Sequence, residues 1–157
     1  MKEIKLTNTE LIALIDDEDY PIVSRFAWYI DSTGYAKTCL RDDKKKVEIR
    51  LHKLIMGTNV SCKLQIDHIN RNRLDNRKEN LRYCTIAENR RNRSKSNGIS
   101  KYKGVSWDKE RAKWYASIKY NYKNIYLGRH DNEITAAQAY DKKAKELFGE
   151  FAAPNFN

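Results

Sequence analysis

Asp67 and His68 stand together at the end of the short apolar run Leu64 to Ile69, Asn80 follows His68 by twelve residues, and Asn89 lies nine further on. The surrounding stretch, LQIDHINRNRLDNRKENLRYCTIAENRRNR, is dense in arginine. Hydrolysis of a phosphodiester needs an activated water, a cation to neutralise developing charge, and groups that orient the phosphate. A carboxylate at Asp67 suits a hard, oxygen-seeking cation such as Mg²⁺. The imidazole of His68 titrates near neutral pH and can take a proton from water. Each residue alone has an ordinary structural reading: a packed histidine, or Asp and Asn as turn formers. Their occurrence together directs attention to cleavage of nucleic acid.

The elements that must position them follow from local pattern. Residues 64–69 read as a strand, 70–79 as a polar loop and 81–84 as a second strand. Thr85 with Glu88 fits a capping box, so a helix is expected from after Thr85 to about Arg93. On that helix Asn89 falls at the fourth position and offers an amide oxygen to the ion, with Asn92 one turn on as the rival ligand. Adjacent strand residues point to opposite faces, so Asp67 and His68 require a strand end or a twisted register.

Upstream, residues 2–15 read as two short strands around Asn8. A helix is expected from Asp19 to Trp28 with Tyr20, Ile22, Val23 and Phe26 as its core side. A strand pair, Gly34 to Leu40 and Val47 to Ile55, follows across the charged turn Asp42 to Lys46. This block shows no chemistry; scaffold is its expected role, with substrate contacts from Lys44 to Lys46 as the alternative. Ser94 to Ser100 reads as a linker. Beyond it, Lys101–Trp107, Lys113–Tyr120 and Asn124–Arg129 read as three strands. A helix capped by Asn132 and stopped by Gly149 presents Ala136, Ala137, Tyr140, Ala144, Leu147 and Phe148 on one face. Trp114, Ala116, Ile118, Ile125 and Leu127 are expected to face that helix. Tyr115, Ser117, Lys119, Asn124, Tyr126 and Arg129 are expected outside, on a sheet laid in a DNA groove or on a plain polar face. The fold class is therefore α+β, with a nuclease-like module and mixed scaffold in 1–95, a linker at 96–100 and a compact module in 101–157.

Charge agrees with a polyanionic partner. The net charge of +10 over 157 residues is uneven: residues 1–61 are neutral, 62–100 carry +6 and 101–157 carry +4. Cys39, Cys62 and Cys84 form no CxxC pair and suggest neither a disulfide framework nor a zinc site. The first residues lack the apolar core of a signal peptide and no run reaches membrane-spanning length, so a soluble cytoplasmic protein without membrane association is expected.

Leu51-His52-Lys53-Leu54-Ile55-Met56-Gly57, Ile66-Asp67-His68-Ile69-Asn70, Leu74-Asp75-Asn76-Arg77, Asn80-Leu81-Arg82 and Glu88-Asn89-Arg90-Arg91-Asn92 resemble the HNH endonucleases, specifically the phage and intron-encoded homing type. The resemblance implies a ββα-metal nuclease fold, with Asp67 and Asn89 as metal ligands, His68 as general base and Asn80 as a brace of the loop. Asn rather than His at the third signature position implies Mg²⁺ or Mn²⁺ rather than zinc. His52 is expected to brace the sheet beside the site. Arg71, Arg73, Arg77 and Arg82, with Arg90 and Arg93 on the helix, are candidates for holding DNA phosphates, against a solvated loop as the plain alternative.

Tyr102-Lys-Gly-Val105, Lys113-Trp114-Tyr-Ala116-Ser-Ile118, Tyr126-Leu-Gly128, Ala136-Ala-Gln-Ala139-Tyr-Asp141 and Asn155-Phe156 resemble the APETALA2/ethylene-response-factor DNA-binding domain. This implies a three-stranded sheet in the major groove, with Lys103, Lys119, Tyr126 and Arg129 at the DNA. Ser106, Ser117 and Asn124 depart from the plant pattern, so plant target preferences do not carry over. The combined expectation is a site-specific homing endonuclease acting on double-stranded DNA. It would nick one strand per active site, leave 5′-phosphate and 3′-hydroxyl ends, and be monomeric in solution without an obligate protein partner, in a bacterial host if phage-encoded. The alternatives are a non-cleaving DNA-binding regulator with a decayed nuclease motif and, third, a restriction or toxin nuclease of little sequence preference.

Overall fold

The computed structural model describes residues 1–42, 45–57, 63–93 and 99–156. Residues 43–44 of the expected turn, with Lys44 of the expected substrate contacts, Cys62 and most of the expected linker, 94–98, lie outside the described residues. The architecture is mixed α and β, built from several small sheets and few helices. Its two compact units are Met1–Ile86 and Ala87–Asn157.

The first unit opens with β1 (Lys2–Lys5) and β2 (Ile12–Ile15), antiparallel as the alternation around Asn8 requires. The expected helix over 19–28 is corrected to a 3₁₀ turn, Asp17–Asp19, and one turn of α-helix, α1 (Tyr20–Val23). It stops because the Trp28 indole N–H donates to the Val23 carbonyl at 2.9 Å, taking an acceptor that a continued helix would use. Trp28 itself bridges Leu6 and lies fully inside the core. Tyr20 and Ile22 are consequently exposed rather than core residues, while Val23 is buried.

Next come β3 (Tyr29–Ile30), β4 (Ala36–Asp42) and β5 (Lys45–Arg50), an antiparallel sheet in chain order. The strand expected to run to Ile55 is corrected here: after Arg50 the chain turns into α2 (Leu51–Met56), ending at Gly57 with φ 85°. Leu51, Leu54 and Ile55 recur at helical spacing and pack into the core of Ile4, Leu6, Ala13, Ile15, Val23, Trp28 and Ala36. Burial of that helical face outweighs the β propensity of the isoleucines. The antiparallel hairpin β6 (Leu64–His68) and β7 (Leu81–Thr85) completes the unit, with a 3₁₀ turn at Lys78–Asn80 leading into β7.

α3 (Ile86–Arg91) follows in sequence. The second unit contains β8 (Val105–Asp108), β9 (Lys113–Tyr120) and β10 (Lys123–His130), an antiparallel meander, with α4 (Glu133–Phe148) packed on it. The Asn132 side chain caps α4 by accepting from Ile134 N–H at 2.7 Å. Small residues let helix and sheet approach: Ala116, Ala136, Ala137 and Ala144 are wholly buried. At Gly104, with φ 77°, a Cβ would lie 1.9 Å from the Tyr140 ring, so only glycine fits. The tail is tied down by buried Asp141, whose carboxylate accepts from the backbone N–H of Asn155 and Phe156 at 2.8 and 2.9 Å. No helix among the described residues is long and apolar enough to cross a membrane.

Candidate active site

The loop from His68 to Asn80 is held by its own amides. Asn80, buried, accepts the Asn70 N–H on its side-chain oxygen at 2.9 Å and donates to the Asp75 carbonyl at 2.7 Å, spanning the loop. Asn70 donates to the Asp75 carboxylate at 2.8 Å, and Asn70 and Asn72 each accept a backbone N–H two residues on. Arg71 adopts φ 67°, the left-handed turn conformation, as its N–H reaches the His68 carbonyl. β2 anchors the far side: Leu14 exchanges backbone hydrogen bonds with Leu74 and Asn76, and the Asp16 carboxylate accepts from the Lys78 N–H at 2.7 Å.

That loop sets His68. Its Nε2 lies 3.2 Å from the Asn76 side-chain oxygen, and both residues are buried. The imidazole meets His52 edge-on at 5.2 Å and Tyr35 at 5.8 Å between ring centroids. Burial pushes the His68 pKa down, partly opposed by the Asn76 hydrogen bond and by Asp67 and Asp75. His52 is pushed further, to about 3, chiefly by burial and then by the charge of His68. His52 is thus a neutral ring that packs edge-on against His68. Asn76 carried no separate expectation, although its place eight residues after His68 is in plain view in the sequence. Its amide nitrogen is buried without a hydrogen-bond partner among the described residues, a group normally satisfied in native proteins.

Asp67 is also buried, so strand-end placement admits both members of the pair to the interior. Directly across the hairpin, Arg82 places Nε and Nη2 at 3.1 and 2.9 Å from one Asp67 oxygen. The carboxylate is therefore already paired with a guanidinium, and a cation at Asp67 would compete with Arg82 for it. Among the described residues no group of three or more His, Cys, Asp or Glu side chains is poised to hold a metal. A cation bound at Asp67 would thus draw on amide, water and phosphate oxygens, a ligand mixture that Mg²⁺ accepts.

The other expected residues are distributed as follows. Arg77 pairs with Asp75 at 2.8 Å and with Glu79, and the Arg77 contact holds the Asp75 carboxyl below its usual range. Arg73 donates to the Thr33 carbonyl and lies over the Tyr35 ring. Arg71 is exposed. In the second unit Asn89 sits half-buried on α3, Asn92 is buried just beyond it, and Arg90 and Arg93 are exposed. The Lys103 ammonium donates to the carbonyls of Arg91 and Arg93 at 2.5 and 2.8 Å, capping the end of α3. Cross-strand pairs Asn124–Lys119, Tyr126–Ser117 and Arg129–Tyr115 line the sheet face away from α4. There Lys119 and Tyr126 are exposed, and Arg129 pairs with Asp108 at 2.9 Å while flanking Tyr126.

Comparison with known proteins adds an independent line. The family model for HNH endonuclease matches residues 59–91. An Acanthamoeba polyphaga mimivirus protein described as an uncharacterized HNH endonuclease, L560, is 34% identical over 146 residues, covering 91% of this chain and 74% of the relative. The chain belongs to the HNH endonuclease family. The HNH match thus covers β6, its loop, β7 and α3, where Asp67, His68, Asn80 and Asn89 reside. Protein 3.8 of Escherichia phage T7 is 34% identical over 88 residues, covering 55% of this chain and 72% of the phage protein. The ethylene-responsive transcription factor WRI1 of Arabidopsis thaliana is 39% identical over 64 residues, 40% of this chain and 15% of the plant protein.

Proposed function

We propose that this HNH protein is a site-specific DNA endonuclease of the homing type. Residues 1–95 would form the nuclease module with a ββα-metal centre, and residues 101–157 a DNA-binding domain of the APETALA2/ethylene-response-factor kind. The observation that carries this reading is the fixed state of His68: buried, held by Asn76 at one ring nitrogen, and packed against both Tyr35 and His52 beside Asp67. A neutral imidazole that donates Nε2–H to Asn76 keeps Nδ1 as the lone pair that takes a proton from water. The resulting hydroxide attacks phosphorus in line with the departing 3′ oxygen, which leaves 5′-phosphate and 3′-hydroxyl ends. A bound Mg²⁺ or Mn²⁺ supplies neutralisation of the charge that builds on phosphorus and on the leaving oxygen. Asp67 and Asn89 are its proposed protein ligands, with the pairing of Asn89 carried by sequence resemblance alone. Asn80 acts by keeping the loop closed.

In the second unit, Lys119, Tyr126 and Arg129 stand on the free sheet face and are the proposed groove contacts. With one site per chain, each binding event nicks one strand. The test is supercoiled plasmid bearing candidate target DNA, with Mg²⁺ or Mn²⁺, against a His68→Ala variant. Nicking by the native chain and a loss of at least roughly 100-fold in the variant, with DNA binding kept, is the expected result. The second reading, a non-cleaving DNA-binding regulator, draws on the closure of Asp67 by Arg82. Binding without cutting in any divalent metal would establish it instead.

A further inference from the structure

The N-terminal sheet, expected to be scaffold with Lys44 to Lys46 as its alternative substrate contacts, carries the ring that packs on His68, and two guanidinium groups meet there. The carrier is the turn Asp31–Tyr35. Asp31 accepts from the backbone N–H of Thr33 and Tyr35 at 2.8 and 3.1 Å, Gly34 N–H returns to the Asp31 carbonyl at 2.8 Å, and Gly34 takes φ 81°. Such a turn is closed by its own bonds and holds its shape. Arg50, the last residue of β5, lies with its guanidinium carbon 4.4 Å from the Tyr35 ring centroid. Arg73, from the loop after His68, lies 4.8 Å from the same centroid. Both also bind the turn, Arg50 at the Thr33 hydroxyl (3.4 Å) and Arg73 at the Thr33 carbonyl.

Charge at this place is out of balance. Arg50 has the Asp31 carboxylate at 3.5 Å, which is the long end of a useful contact, and that carboxylate already serves three donors of the turn. Arg73 has a carbonyl and a ring, and no carboxylate among the described residues. Two guanidinium groups drawn to one aromatic ring and one turn repel one another, and cation–π attraction offsets only part of that. Their fields reach the imidazoles, since Arg73 helps to depress His68 and Arg50 helps to depress His52. An anion is the missing member, and arginine forks match phosphate oxygens. Tyr35 stands 5.8 Å from His68, so an anion held here lies beside the reacting centre.

We propose that Arg50 and Arg73, mounted on Tyr35 and the Asp31–Tyr35 turn, clamp a DNA backbone phosphate beside His68. This rests on the nuclease reading and gives the N-terminal sheet a part in substrate binding. The clamp acts on binding and registration of the strand, not on the proton transfer.

The test uses the full chain. In a His68→Ala background with Ca²⁺, binding of a short mixed-sequence duplex is measured over a series of salt concentrations for the parent and for Arg50→Leu, Arg73→Gln and the matching Arg→Lys changes. Arg73→Gln keeps a donor for the Thr33 carbonyl, and a urea melt confirms that each variant is folded. Loss of either clamp arginine is expected to weaken binding and to reduce the slope of log K against log salt by about 0.9, the signature of one phosphate contact. The lysine variants are expected to restore the slope. With His68 present, the same changes are expected to raise KM for nicking several-fold with little change in kcat. A folded Arg73→Gln or Arg50→Leu protein whose salt slope matches the parent would overturn the clamp and leave these arginines as braces of the turn. If the native chain fails to cut in any metal while the slopes still drop, the nuclease reading falls and the clamp stands.

Discussion

Behind its hairpin the first unit buries His52, Asp67, His68, Asp75, Asn76 and Asn80, whereas the second closes its sheet with Ala116, Ala136, Ala137 and Ala144 under a helix. A polar interior is costly unless each group finds a partner, and the first unit spends a thirteen-residue loop on supplying those partners. Among its described residues the second unit confines its buried charge to Asp141, with Asn92 and Ser100 as its other buried polar residues. One region fixes a few groups in one arrangement, as chemistry demands. The other offers a polar sheet face on an alanine-packed helix, as the proposed recognition of DNA would need.

The sharpest way to break this contrast is at Gly104. Gly104→Ala combines a left-handed backbone with a Cβ inside the Tyr140 ring, so a destabilisation of roughly 2–4 kcal/mol is expected in the second unit. Urea melting followed through Trp107 and Trp114 against Trp28 should show the first unit's transition unmoved. A common shift of both transitions would mean that the units do not melt independently.

Asn80→Ala makes the reverse cut. It strands the Asn70 N–H and the Asp75 carbonyl, for an expected loss of roughly 2–3 kcal/mol in the first unit and a marked fall in nicking, with duplex binding by the second unit kept. An unchanged melt would show that the loop does not depend on its brace.

Acid should act on the same unit. His52 is lowered to about 3 in the folded chain against about 6.5 unfolded, so the folded state binds fewer protons between those values. Its contribution is whole above about pH 6.5 and is lost as pH falls toward 3, amounting to about 2 kcal/mol at pH 5. The lowered His68 adds in the same direction. Melts at pH 7 and pH 5 check this, and a His52→Phe chain should lose much of the pH dependence. The smallest effect belongs to the surface of α4: Lys143→Ala, removing an i,i+3 pair with Glu146, should change stability by no more than about 0.5 kcal/mol.

Much of this was legible in the sequence. The order β6, loop, β7, α3 and the three strands with α4 follow from alternation, from the polar run 70–79 and from caps at Asn132 and Gly149. The inward set Ala116, Ile118, Ala136, Ala137, Tyr140 and Ala144 follows from period alone. What failed depended on long-range capture. No local pattern says that Trp28 will take the Val23 carbonyl and end α1 early. β-branched residues in 47–55 masked the helical spacing of Leu51, Leu54 and Ile55. At the site, residue types pointed to Asp67, His68 and Asn80 and the resemblance to His52 beside them, but the partners Asn76 and Tyr35 are set by tertiary packing and had no signal of their own. Nor does an arginine count tell which guanidinium meets DNA and which is spent on Asp67 or Asp75.

The ties from β2 to the loop between His68 and Asn80 carry a consequence for how the chain matures. Leu14 bonds to Leu74 and Asn76, and Asp16 to Lys78 across a separation of 62 residues. These are high-contact-order closures, slow to form because a long chain segment must be ordered first. On a ribosome the N-terminal hairpin emerges early and waits for the loop, so the histidine is aligned only once the two have met. The stretch matched by the family model, 59–91, contains every expected ligand and base yet lacks that anchor. Excised, it would keep the motif and lose the bonds from Leu14 and Asp16 that hold the loop in shape.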